Sequence, residues 1–224
     1  MAAVRRYVAK TLLQDIISAA AFFAAAGRLD APRGWVYACV SAALTAAGLA
    51  VLARVNRAML AAREARWDDT PAWDRRILPA YLALSFIGVH VAAGLDARRT
   101  APPLDGWLWL GLALYAAAAA LSIWAMASNR HFEPTARLQT DRAQSVCDRG
   151  PYSLVRHPGY AAIALGHFAT PLIYGSALAA AVCAVVVALI AARTALEDAM
   201  LLRGLPGYAK YAARVRSRLI PGVW

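Results

Sequence analysis

GWLWLGLALYAAAAALSIWAMA, residues 106–127, contains no charged side chain and opens on Trp107 and Trp109. An α-helix rises about 1.5 Å per residue, so about 20 apolar residues cross a hydrocarbon core of about 30 Å. Interfacial tryptophans at one end fit such a crossing. Further apolar runs cover residues 11–26, 35–53 and 77–95. With 61% hydrophobic residues and a mean hydropathy of +0.47, the chain is too apolar for an ordinary soluble domain. The expected architecture is all-α: a polytopic integral membrane protein with about four transmembrane helices, a C-terminal helical hairpin and a cytoplasmic amphipathic tail.

The positive charges set the orientation. The net charge is +11, but the basic residues lie mainly between apolar runs, where topology and lipid headgroups account for them. No basic face interleaved with aromatics appears, so nucleic acid is not an expected partner. With the N-terminus cytoplasmic, only Arg28, Arg33, Arg98 and Arg99 fall outside. The positive-inside rule therefore puts the N-terminus, the segment 128–158 and the tail in the cytoplasm. A signal peptide is conceivable at residues 1–26, but Asp15 and the spans that follow favour a retained helix. In the polar stretch 54–76, Trp67 and Trp73 are placed for an interface. His90, deep in the third run, reads as a neutral, hydrogen-bonded structural histidine. Cys39, Cys147 and Cys183 form no CxxC pair, so neither a disulfide framework nor a metal site is expected.

The polar segment after residue 127 ends in Gly150-Pro151-Tyr152-Ser153-Leu154-Val155-Arg156-His157-Pro158-Gly159-Tyr160. Gly150-Pro151 marks a turn, and Pro158 disfavours helix at His157, so a helix is predicted to begin near Gly159. Such an entrance offers free backbone N–H groups to a polar or anionic ligand. Residues 159–174, the turn Gly175-Ser176 and residues 177–192 read as a tight helix pair, short for full crossings. Its far end carries Arg193, Glu197 and Asp198. A hairpin joins its ends, so this cluster should meet Arg156-His157. The simplest reading is an i,i+4 ion pair of Arg193 with Glu197; a site for a small zwitterion is the other.

These motifs, followed by Tyr208, Tyr211 and the ending Arg218-Leu219-Ile220-Pro221, resemble the C-terminal region of the isoprenylcysteine carboxyl methyltransferase family. The related membrane phospholipid methyltransferases share the style. The resemblance covers residues 129–224. It implies S-adenosylmethionine held without a Rossmann fold, and the chain has no Gly-x-Gly. By resemblance, Gln139, Gln144, Ser145, Val146, Cys147, Tyr152, His157, Pro158, Gly159, Tyr160 and Glu197 would bind the cofactor, with Glu197 on its ammonium. Arg193 would face the methyl acceptor, and Arg193, Glu197 and His157 would form the catalytic set. The family's Glu-Glu pair is Glu197-Asp198 here, Gln144 stands where a histidine or comparable polar residue is often met, and Leu205-Pro206-Gly207-Tyr208 replaces the usual phenylalanine before the later Gly-x-x-Tyr motif.

The implied function is methyl transfer to a lipophilic acceptor within the membrane, first a carboxylate, which needs no base at neutral pH. An amine would need Glu197 or His157 to take a proton, and a thiol would need to become a thiolate. The alternatives are a phospholipid N-methyltransferase, a thiol S-methyltransferase and a non-catalytic binding module. A transporter, which needs polar or broken helices at mid-membrane, has only Asp15 and His90 to support it. One domain is expected, with transmembrane helices over 1–127 and the cofactor-binding catalytic region over 128–224.

Overall fold

The computed structural model describes residues 2–62 and 69–224; Trp67, assigned above to an interface, lies outside them. The elements are α1 (Ala2–Ala26), α2 (Pro32–Val55), α3 (Arg57–Ala62), α4 (Ala72–Ala83), a π-helical turn (Leu84–Gly88), α5 (Val89–Ala97), α6 (Gly106–Ser128), α7 (Pro158–Tyr174), α8 (Ala177–Gly204) and α9 (Tyr208–Arg214). The described residues contain no strand.

Five helices among the described residues are long and apolar enough to cross a bilayer: Val4–Ala26, Pro32–Val55, Ala72–Ala97, Gly106–Ser128 and Ala177–Gly204. The chain is therefore a multi-pass membrane protein whose C-terminal hairpin is asymmetric. Its first arm, α7, has 17 residues. Its second, α8, has 28 and runs past Ala192 to Gly204, so Arg193, Glu197 and Asp198 lie inside the helix and not at its exit. The sequence Thr194-Ala195-Leu196-Glu197-Asp198-Ala199-Met200-Leu201 contains no breaker. The two buried charges of this part of α8, Arg193 and Asp198, meet partners from other elements, so nothing forces the helix to stop.

The turns form for local reasons. Proline opens α2 and α7 at a first-turn position, where no N–H is needed. The Asp105 carboxylate caps α6 by accepting from the Leu108 N–H at 3.1 Å. Gly175, at φ +65°, closes α7 in the left-handed region. Ser176 then caps α8 by accepting from the Ala179 N–H at 3.0 Å, and its hydroxyl donates to Asp96 at 2.7 Å.

The bundle packs α6 on α7, α1 on α2 and α5, and α8 on α7 and α5. Phe22, Tyr37, Val89, Leu108, Ile173, Tyr174, Val186 and Ile190 form the buried core. His90 sits in this core with Nδ1 2.9 Å from the Tyr174 hydroxyl. Of the cysteines, Cys183 is buried and Cys39 is exposed. The segments 25–33, 96–105 and 172–178 meet at one end through Arg33, which donates to the Leu172 and Pro103 carbonyls, and Arg98, which donates to the Ala25 carbonyl. The segment 129–157 and the tail gather around the other end of α8.

Gly94 lets α5 lie close against the backbone of α1. A Cβ there would stand 2.3 Å from the Phe22 carbonyl oxygen, so substitution must displace backbone. Gly94→Ala is expected to cost about 1–3 kcal/mol through overpacking, read as a lower thermal midpoint in detergent. Gly106→Ala, where an added Cβ meets nothing within 4 Å, should leave that midpoint close to wild type.

Candidate active site

The cavity at the charged end of the bundle has a volume of about 280 Å³. Its wall draws on α1, α4, the segment 129–147, the entrance of α7, the distal part of α8 and α9. Gln139, Gln144, Ser145, Val146, Cys147, Tyr152, His157, Gly159, Tyr160, Arg193 and Glu197 all line it. Pro158 is the one residue of the expected set that is not on the wall; it is buried as the first residue of α7. Gly159 also serves packing, because a Cβ there would stand 2.7 Å from the ring of Phe132.

Asp198 organises the floor of the site. Fully buried, it accepts from Arg156 through two bonds of 2.8 Å, from the Tyr208 hydroxyl at 2.8 Å and from Arg218 Nε at 2.9 Å. His157 Nε2 lies 3.2 Å from the same carboxylate. Arg156 also donates to the Val215 and Arg216 carbonyls at 2.8 and 2.7 Å. The Asp198 hydrogen bond is the leading cause of a raised Arg156 pKa. The Arg156 and His157 N–H groups pair with the Ser217 and Arg218 carbonyls, both at 2.9 Å. One carboxylate thus joins α8, the α7 entrance, α9 and the tail. Asp198 is not on the cavity wall, and its short side chain meets the Arg156 fork directly.

Arg193 and Glu197 share a helix face but do not pair with each other. Arg193 is buried and donates from Nε and Nη2 to Asp74 at 2.7 and 3.1 Å, and from Nη2 to the Pro134 carbonyl at 2.6 Å. Asp74, fully buried, also accepts from the Ala136 N–H at 2.8 Å. The Arg193 guanidinium lies 5.3 Å from the centre of the Tyr160 ring. Glu197 accepts from the Tyr160 hydroxyl, and no cation pairs with it among the described residues. The His157 ring stacks on Tyr160, with centroids 5.7 Å apart and planes 13° apart.

The segment 129–147 forms a second polar cluster. Gln139 donates from Nε2 to the His131 carbonyl at 2.6 Å and accepts from Arg142 at 2.9 Å. Gln144 accepts from the Gln139 N–H at 2.8 Å. Glu133 accepts from Arg137 at 2.7 Å and from Arg142 at 3.0 Å. Burial holds the His131 pKa below its ordinary value. Its neutral Nδ1–H form fits both the Gln139 Oε1 acceptor at 3.3 Å and the Arg130 donor at 3.0 Å. The Thr135 hydroxyl, on the same cavity wall, is buried without a hydrogen-bond partner among the described residues.

Sequence reasoning missed Asp74 and the α1 wall. Asp74 looked like one more charge in a polar linker, and its partner Arg193 is 119 residues away. Tyr7, Lys10, Thr11 and Gln14 line the cavity from α1; their i, i+3, i+4, i+7 spacing was the available signal. A second cavity of about 200 Å³ shares Tyr81, Phe86 and Ile163 with the first and is lined also by His90, Ser122 and His167. No group of three or more His, Cys, Asp or Glu among the described residues could hold a metal.

Removing one partner of a buried ion pair strands the other. Asp74→Ala is expected to lose about 3–5 kcal/mol of stability, measured by unfolding in detergent. The double variant Asp74→Leu with Arg193→Met should recover only part of it, because an apolar pair removes the stranded charge but leaves the Ala136 N–H and the Pro134 carbonyl without these partners.

No curated protein matches the chain. Residues 107–205, from α6 to the end of α8, match the model of the phospholipid methyltransferase family, which is related to the isoprenylcysteine carboxyl methyltransferases, and the match supports a membrane methyltransferase.

Proposed function

We propose that the chain is a membrane-embedded, S-adenosylmethionine-dependent methyltransferase acting on a lipophilic acceptor, in the first place a carboxylate. The observation that carries this reading is Glu197: a cavity-lining carboxylate with no cationic partner among the described residues, set among Tyr152, Tyr160, Tyr208 and Tyr211. Such a wall fits a cationic, zwitterionic cofactor, whose ammonium Glu197 would hold while aromatic faces attract its sulfonium. The Thr135 hydroxyl, without a partner among the described residues, adds a polar group for a ligand.

When bound, S-adenosylmethionine supplies an electrophilic methyl group. The residues of the chain bind, orient and exclude water. Gln144, Ser145, Val146, Cys147 and Tyr152 form one side of the proposed cofactor wall, with Gln139, His157, Gly159 and Tyr160 beside them. Because Asp74 occupies Nε and Nη2 of Arg193, the acceptor would meet Nη1, not the two-toothed fork. Asp198 holds His157 through Nε2, which leaves Nδ1 as its basic nitrogen. Tyr208 and Tyr211 of α9 line the site, and alignment and desolvation of an ionised acceptor would supply much of the acceleration.

Tyr81, Phe86 and Ile163, shared between the cavities, would give the acceptor's apolar part a path toward the membrane. Walls drawn from both α1 and α8 support reading residues 1–224 as one domain, with a transmembrane part over 1–127 and a cofactor-binding part over 128–224. The lysine and arginine distribution supports a cytoplasmic N-terminus and active site. The family match favours a second reading, N-methylation of a phospholipid amine. That reaction would need a proton removed from the ammonium, by Glu197 or His157.

Calorimetry on the detergent-purified protein tests the assignment. Wild type should bind S-adenosylmethionine, and Glu197→Ala should weaken it by on the order of tenfold or more, the value of a hydrogen bond to a charged group. Arg193→Ala, checked for folding, should retain cofactor binding and lose methyl transfer. Unchanged affinity in Glu197→Ala would remove the ammonium assignment.

A further inference from the structure

The charged residues on the main cavity wall are Lys10, Glu133, Arg137, Arg156, Arg193 and Glu197. Glu133 pairs with Arg137, Asp198 pairs with Arg156, and Asp74 pairs with Arg193. Two charges remain without an ionic partner among the described residues: Glu197 and Lys10. The first suits the ammonium of the proposed cofactor. We infer that Lys10, on the α1 wall, is a binding residue for an anionic group on the acceptor, a carboxylate or a phosphate. This inference rests on the methyltransferase reading and narrows its acceptor to anion-bearing amphiphiles.

Lys10 is exposed, and its position on the cavity wall sets this role apart from simple anchoring at the headgroups. A lysine near the start of a membrane helix commonly reaches the interface with its ammonium. Here, however, Tyr7, Lys10, Thr11 and Gln14 recur at one-turn spacing and all four line the cavity. Leu78, Leu82 and Phe86 line the same cavity, so a polar stripe and an apolar surface meet on one wall. An amphiphile needs both. The neutralised guanidinium of Arg193 can orient the acceptor through Nη1, while the uncompensated charge of Lys10 discriminates an anion from an uncharged group.

Equilibrium binding to the full chain in zwitterionic nanodiscs, without cofactor, tests this with three single-chain probes: hexadecanoate, hexadecyl phosphate and uncharged hexadecanamide. At least one anionic probe should bind on the order of tenfold more tightly than the amide, the scale of a charge-assisted hydrogen bond. The preferred anion identifies the source of the charge. Lys10→Gln should abolish the preference, Lys10→Arg should retain it, and both should bind S-adenosylmethionine as wild type does. The inference is overturned by equal binding of all three probes, by a preference that survives Lys10→Gln, or by a shifted cofactor affinity in that variant. Loss of the underlying methyltransferase reading would appear separately, as no cofactor binding by wild type.

Discussion

The buried carboxylate of Asp198 is the constraint on which the site depends. A charge in a low-dielectric interior is tolerated only with partners that satisfy it. Arg156, His157, Tyr208 and Arg218 surround this carboxylate from three separate parts of the chain. Together they fix the α7 entrance against α8 and fold the tail over both. His157 and Tyr160 are then presented to the cavity by a scaffold that cannot shift without exposing a buried ion. The second acid of the pair is thus a structural centre, and the first, Glu197, is left for the cavity.

Asp74 and Arg193 apply the same physics across a longer stretch of chain. Their pairing ties the start of α4 to the distal part of α8 and, through the Ala136 N–H and the Pro134 carbonyl, to the loop between α6 and α7. Buried arginines paired in this way carry little net charge toward a ligand. The chemistry of the cavity therefore depends less on how many charges line it than on which of them have no ionic partner among the described residues, and this points to Glu197 and Lys10.

Much of the architecture was legible because the bilayer imposes a simple rule. Long uncharged runs must become helices that satisfy their own backbone, so residues 106–127 declared their state without tertiary information. Gly175-Ser176 likewise marked a turn, since glycine takes the left-handed conformation and serine caps the next helix. The extent of α8 was misread for a related reason. Arg193, Glu197 and Asp198 looked like the end of an apolar helix, because sequence shows a charge but not the partner that permits its burial.

The sequence by itself determined that the chain is helical and membrane-spanning, that a turn and helix entrance lie at residues 150–160, and that an Arg-His-Pro-Gly-Tyr segment and an acidic pair flank a hairpin. These follow from hydropathy, backbone preference and short-range spacing, which are local properties. Only the tertiary structure decided which acid is buried, which arginine is neutralised and which residues of α1 and α4 reach the cavity. Those outcomes depend on partners 42 and 119 residues apart, and electrostatic energy depends on distance in space, which spacing along the chain does not encode.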